Sequence, residues 1–410
     1  MKSVDQLNLA GKTVLLRVDI NSPIDPNTRK IVNTNRLEKS IPTISKILEQ
    51  GAKLAMIAHQ GDTLDYQNLM SMQEHTEKLS ALLGRKVDYI DDVCGPAAQN
   101  KVKSLKPGES VLLGNLRYLS EEISTFENAV KLDPPQMLDT WLVRGLAPLV
   151  DVYVNDAFAA AHRNAPSMVA FQEIKPTAAG DLLFDEVAAL NRVMSEPEHP
   201  SVFVLGGAKI SDAFGVMKQV LEAGTADKIL ACGITGEIML LAAGYSLGAV
   251  KELFLKDRGL DVFVEQAKSY LHDFNDKILY PLDLAYQEDG QRKEIPVGDL
   301  PAEHMYMDIG SMTIAAFEKT IAEAKTLFVN GPPGVYEEAL FDHGTKAVWN
   351  AIAASKGYSV IGGGDTVTAA TRFVDLAHIN YVCTAGGAMV RYLSGKKLPL
   401  IAAMENASVR

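Results

Sequence analysis

Short runs of β-branched and aliphatic residues recur along the chain and end in polar residues. In the first half they occupy 13–18, 53–58, 111–113 and 150–154. Apolar on successive positions, they read as parallel strands buried on both faces. Between them, 42–50 and 74–83 carry apolar residues at helical spacing, so the unit that repeats is strand then helix. The second half repeats the scheme at 201–205, 228–231, 326–329, 358–361 and 379–382. Between the halves, 177–194 places Leu183, Val187, Leu190 and Met194 on one helical face and stops before Pro197 and Pro200, which predicts a linking helix. The expected class is α/β, with two doubly wound, Rossmann-like parallel-sheet domains at 1–176 and 195–388.

Composition narrows the function. A chain of 410 residues, 47% hydrophobic and 22% charged, is long enough for two buried cores and far from the signature of disorder. The net charge of −11 opposes the phosphate attraction on which nucleic-acid binders rely, so neither nucleic acid nor an anionic membrane is an expected partner. Charge is uneven: 20 basic and 21 acidic residues precede the end of the first domain at Pro176, against 20 and 30 after it. Three scattered cysteines without a CxxC pair fit a reducing cytoplasm. The opening twelve residues lack an apolar core of the kind that directs export, and 229–250 is interrupted by Glu237 and several glycines.

Open α/β sheets bind ligands beyond the carboxyl ends of their strands. In the first half those ends deliver Arg17, Asp19 and Asn21, then His59, then Asn115 and Arg117, then Asn155, Asp156, His162 and Arg163. Several arginines at one sheet edge suit a small, multiply anionic ligand, whereas any one alone would read as a surface ion pair. His59 and His162 read equally well as ligand contacts or as hydrogen-bonded loop histidines. In the second half the ends deliver glycine: Gly206-Gly207-Ala-Lys209, Gly233, Asn330-Gly331-Pro-Pro-Gly334, Gly362-Gly363-Gly364-Asp365 and Gly386-Gly387. Glycine admits phosphate close to backbone amides, and a helix starting there adds its positive end. Neither GxGxxG nor GxxxxGK[ST] occurs. Asp365 is placed either to reach a phosphate-bound Mg²⁺ or to cap the following helix. An anion site on one domain and a phosphate cradle on the other describe a two-lobed kinase. A carboxylate acceptor, already ionised, would need no general base.

Over nearly its whole length the chain resembles phosphoglycerate kinases. The resemblance rests on Arg17-Val-Asp19-Ile-Asn21-Ser-Pro23, Arg36 ahead of Ile41-Pro42-Thr43-Ile44, Leu113-Gly-Asn-Leu-Arg117-Tyr, and Val154-Asn-Asp156-Ala-Phe158 running into His162-Arg163. It continues with Leu205-Gly-Gly-Ala-Lys209-Ile-Ser-Asp212, Asn330-Gly-Pro-Pro-Gly-Val-Tyr-Glu337, Gly362-Gly-Gly-Asp365-Thr366 and Thr384-Ala-Gly386-Gly387-Ala388. The wording around His59 and in 154–163 looks archaeal. The resemblance implies that 3-phosphoglycerate is held by Asp19, Asn21, Arg36, His59, Arg117 and Arg163, with Arg36 at the reacting end. It implies ATP or ADP at Gly207, Lys209, Gly331, Glu337, Gly362, Gly363, Gly364, Asp365 and Thr366. Lys209, Gly364 and Gly387 would serve catalysis beside Arg36, and Asp365 would hold Mg²⁺. It further implies hinge closure of the two domains, a tail at 389–410 returning toward the N-terminal domain, and action as a monomer, with a homodimer as the alternative.

Two positions depart from the family pattern. Asp62 stands where a basic residue follows His-x-Gly, and Ala213 replaces a second lysine of the nucleotide motif. Asp62 keeps open a paralogous kinase forming an acyl phosphate on another carboxylate. A non-catalytic nucleotide-binding protein is disfavoured by the joint presence of Arg36, Lys209 and Asp365.

Overall fold

The computed structural model describes residues 1–61 and 69–409, so Asp62 lies outside the described residues. The chain forms two compact units, 1–187 with 397–410, and 188–396.

The first unit is built on β1 (Thr13–Val18), β2 (Lys53–Ile57), β3 (Val87–Tyr89), β4 (Ser110–Leu112), β5 (Val152–Asp156) and β6 (Thr177–Ala179). They pair in parallel in the order β3-β4-β2-β1-β5-β6. The central strands β1 and β5 are buried throughout, which is why their sequences show no alternation. The helix Asn35–Glu49 starts seven positions before the expected 42 and continues through Pro42. Its face of Leu37, Ile44, Ile47 and Leu48 packs into the core, and that burial outweighs the backbone hydrogen bond that proline cannot donate. The expected helix over 177–194 divides: 177–179 join the sheet as β6, and the helix is Asp181–Met194. The C-terminal helix Pro399–Val409 packs on β6 and on the helix Pro166–Val169. Leu400 N–H donates to Ala161 O at 3.2 Å. The return to this unit begins at 397, not at the expected 389, because the helix Gly386–Leu393 packs against Ile210–Glu222 of the second unit.

The second unit contains β7 (Ser201–Leu205), β8 (Lys228–Ala231), β9 (Ile278–Leu279), β10 (Asp283–Glu288), β11 (Gln291–Pro296), β12 (Tyr306–Ile309), β13 (Thr326–Asn330), β14 (Tyr358–Ile361) and β15 (Tyr381–Val382). Six form a parallel sheet ordered β15-β14-β13-β7-β8-β9, and β11-β10-β12 form a separate antiparallel sheet. That second sheet is absent from the sequence reading, although Asp289-Gly290, both at positive φ, mark a two-residue hairpin between β10 and β11. Among the described residues no helix is long and apolar enough to cross a membrane.

In each large sheet the chain reverses its direction of growth beside the first strand, at β1/β5 and at β7/β13. Ligand crevices of doubly wound sheets lie at such switch points.

Candidate active site

The carboxyl ends of β1, β2 and β5 and the turns after β4 and β5 surround a cavity of about 500 Å³ in the first unit. Asn21, Arg36, His59, Arg117, His162 and Arg163 line it. Arg36 lies in the first turn of Asn35–Glu49, where the helix dipole disfavours a cation. Asp19 compensates, both carboxylate oxygens accepting from Nη1 at 2.9 and 2.8 Å. Among the described residues Arg36 is engaged through Nη1 alone, and Nε and Nη2 meet no acceptor there. Asp19 thus sits behind Arg36, buried and off the cavity wall.

The other arginines are tethered through Glu122, which the sequence reading missed. Its backbone carbonyl accepts from Arg117 Nη1 at 2.5 Å and from Arg163 Nη2 at 3.5 Å. Its buried carboxylate accepts from Ser167 N and Oγ, both at 2.7 Å, and burial pushes its pKa up. Glu127 Oε2 accepts from Arg163 Nε at 2.6 Å. Gln60 supplies a second brace. Its Oε1 accepts from Ser22 N at 2.9 Å and meets His75 Nε2 at 2.8 Å, while its Nε2 donates to Ser22 O at 3.0 Å. Asn21 Oδ1 accepts from Gly61 N at 3.1 Å, closing the loop after β1 on the loop after β2. Asn155 and Asp156 are buried and off the cavity: Asp156 accepts from Leu183 N at 2.9 Å and so braces the start of Asp181–Met194.

In the second unit a pocket of about 380 Å³ follows β7 and β13 and is walled mainly by apolar side chains and backbone. Gly207, Glu337 and Asp365 of the expected residues line it, with Ile234, Phe254, Met305 and Tyr306 among its apolar walls. Helices Ile210–Glu222, Gly233–Ala242, Gly364–Phe373 and Gly386–Leu393 begin just beyond β7, β8, β14 and β15, so their positive ends share one sheet edge.

The glycines there are of two kinds. A Cβ on Gly331 (φ +91°) would lie 2.1 Å from Gly206 O, and one on Gly362 would lie 2.1 Å from Met389 Sδ; close packing requires both. Gly364 and Gly387 meet nothing within 4 Å and face open space at their helix starts. Thr366 is buried off the pocket wall, its Oγ1 accepting from Gly331 N at 2.8 Å, and so ties the loop after β14 to the loop after β13. Gly363, at φ +98°, is the N-cap of Gly364–Phe373, and Asp365 does not cap that helix. Asp365 instead points to solvent with Lys209 Nζ 3.9 Å away, both side chains about three-quarters exposed (75% and 73%). Ala213 is buried in Ile210–Glu222.

Three charged residues of the pocket wall had no part in the expected site. Glu237 and Lys251 form a buried pair at 2.7 Å, and Lys251 Nζ also donates to Tyr306 O at 2.8 Å. Asp308 is pushed up to about 6 by burial, against the pull of the Gly344 N–H and of Arg292. Arg292 Nη1 donates to Asp308 Oδ2 and to Leu340 O, each at 2.9 Å, which holds the loop carrying Glu337 to the antiparallel sheet.

An arginine-lined anion cavity on one parallel sheet and a glycine-edged, largely apolar pocket on another define a two-unit α/β kinase for a small anionic acceptor. A family model described as "Phosphoglycerate kinase" matches residues 4–396, and the chain belongs to that family. It is 40% identical to the phosphoglycerate kinase of Methanothermobacter thermautotrophicus over 99% of this chain and 97% of that protein. With that of Methanobacterium bryantii it shares 41% over 97% and 96%. The phosphoglycerate kinase crystal structure from Pyrococcus horikoshii OT3 superposes with a TM-score of 0.86 at 36% identity, covering 100% of both chains.

Proposed function

We propose that the protein transfers a phosphoryl group reversibly between ATP and the carboxylate of 3-phosphoglycerate, giving 1,3-bisphosphoglycerate and ADP. The observation that carries this reading is the cavity lined by Arg36, His59, Arg117 and Arg163 in a chain belonging to the phosphoglycerate kinases. Four cationic or donor side chains match a ligand with a phosphate at one end and a carboxylate at the other. Arg36, whose Nε and Nη2 meet no acceptor among the described residues, sits at the reacting end and stabilises charge on the transferring group. The acceptor is already ionised, so no side chain need remove a proton, and binding, orientation and charge stabilisation are the protein's tasks.

In the second unit the apolar pocket takes the base, Glu337 the ribose, and the amides around Gly207, Gly364 and Gly387 the phosphates, with Lys209 beside the transferring group. Among the described residues no cluster of three or more His, Cys, Asp or Glu could cage a metal. A single exposed carboxylate, Asp365, suits Mg²⁺, which is commonly held by one or two carboxylates together with substrate phosphates and water. Asp365 would hold the ion, which when bound neutralises charge on the phosphates. Transfer requires the two units to close with both substrates bound.

A coupled assay with ATP, Mg²⁺ and 3-phosphoglycerate tests the reading. ATP consumption dependent on 3-phosphoglycerate is expected. Turnover with a different carboxylate and none with 3-phosphoglycerate would overturn the acceptor assignment.

A further inference from the structure

Arg17, at a strand end, reads from the sequence as one more ligand-facing arginine. Its side chain is 3% exposed and does not line the cavity. Nη1 donates to Val18 O at 2.5 Å, and Nη2 lies 2.8 Å from His59 Nδ1. A guanidinium has five donors and no acceptor, and it stays charged in proteins. The contact with His59 is therefore a hydrogen bond only if Nδ1 presents its lone pair. In a neutral imidazole the proton must then reside on Nε2. His59 lines the anion cavity, and no protein group among the described residues bonds Nε2.

We propose that Arg17 is a positioning residue that locks His59 as the neutral Nε2–H tautomer, making the ring an uncharged hydrogen-bond donor to an oxygen of the bound acceptor. Protonating Nδ1 would break the bond to Arg17 and set a second cation against it. Burial first, and then the charges of Arg17, Arg117, Arg36 and Arg163, hold the His59 pKa well below its usual 6.5. The cavity thus gains a donor that does not titrate over the range in which histidine ordinarily switches. The ligand named here rests on the acceptor-site reading above; the tautomer does not.

The test is ¹⁵N NMR of the ring nitrogens in the ligand-free wild-type enzyme, with the His59 signals assigned by their loss in His59→Gln. The expected result is Nδ1 in the unprotonated range and Nε2 in the protonated range, unchanged from about pH 5.5 to about 8. An Nδ1–H tautomer, or a ring titrating near 6.5, would overturn the proposal. Because the wild type is measured without ligand, this outcome is independent of which acceptor is correct. A second measurement compares His59→Gln with His59→Asn. The Gln side-chain amide reaches the position of Nε2–H and the Asn amide only that of Nδ1, so the Asn variant should have the higher KM for 3-phosphoglycerate by about tenfold, the scale of a hydrogen bond to a charged group. The reverse order would contradict a donor at Nε2.

Discussion

The cavity of the first unit and the pocket of the second are built by opposite means. The first unit uses side chains. Arg36, Arg117 and Arg163 face one cavity, each held by a carboxylate or carbonyl behind it, and two of them share the carbonyl of Glu122. The second unit uses backbone: glycine turns and helix starts surround the pocket, and the charges of Lys209, Glu337 and Asp365 beside it are exposed. Side chains buried in a fixed network discriminate by shape and charge and tolerate little change. Amides at helix ends grip any phosphate, and exposed charges there contribute mainly through the ligand itself.

That contrast can be broken or sharpened by substitution. The largest effect is expected for Arg36→Ala, with kcat at saturating substrates lowered on the order of 10²–10³-fold, because the lost charge acts in the transition state. ATP affinity, set on the other unit, should change far less in calorimetry. Near wild-type turnover would make Arg36 a structural arginine paired with Asp19.

Next come the two kinds of glycine. Gly331→Ala places a methyl against Gly206 O at a positive φ and should destabilise the protein by about 1–3 kcal/mol, read as a lower Tm. Gly364→Ala meets nothing in the protein, so Tm should hold while KM for ATP rises about tenfold (~1.4 kcal/mol) as the methyl intrudes on the phosphate. Equal Tm losses would erase the distinction. Asp365→Ala should weaken Mg·ATP by a similar factor yet spare metal-free ADP. Equal losses in the two titrations would place Asp365 on the nucleotide and not on the ion.

The effect on pH dependence, within the first unit, is confined to stability and to acid conditions. Burial lifts Asp156 to about 6, so the folded state holds its proton more tightly than the unfolded chain, and stability falls as pH rises from 3.8 to about 6. Burial lowers His75 to about 4, so its contribution has the opposite sign, and stability rises with pH between about 4 and 6.5. The two contributions oppose each other over the same window. Asp156→Asn should therefore make stability climb more steeply between pH 4 and 6, by up to roughly 3 kcal/mol, in denaturant titrations at fixed pH. An unchanged slope would mean that Asp156 is ionised throughout.

Most of the scaffold is legible in the residue pattern because strands buried on both faces appear as uninterrupted apolar runs; β1, β7, β8 and β14 begin and end where those runs do. The two- and three-residue strands β3, β6 and β9 were missed, since so short a run has no periodicity to detect. The hairpin of β10 and β11 escaped for a different reason: β11 is mostly exposed and polar, and its one strong signal was the Asp289-Gly290 turn. The early start of Asn35–Glu49 was hidden by Pro42, yet it is this start that brings Arg36 to the cavity.

Residue type at strand ends, read alone, determined that one half of this protein presents arginines and the other glycines, because the fold class fixes which end of a strand meets ligand. Tertiary structure decided which of those residues face a cavity or open space. Arg17 and Arg36 are the same residue type, but one is buried and bonded to Val18 O and His59 while the other projects from a helix start into the cavity, with two donors that meet no acceptor among the described residues. Gly362 and Gly364 are neighbours in one motif, yet one is packed against Met389 and the other faces open space. Exposure and hydrogen-bond partners depend on contacts between segments far apart in the chain, and a pattern along a single strand carries no record of them.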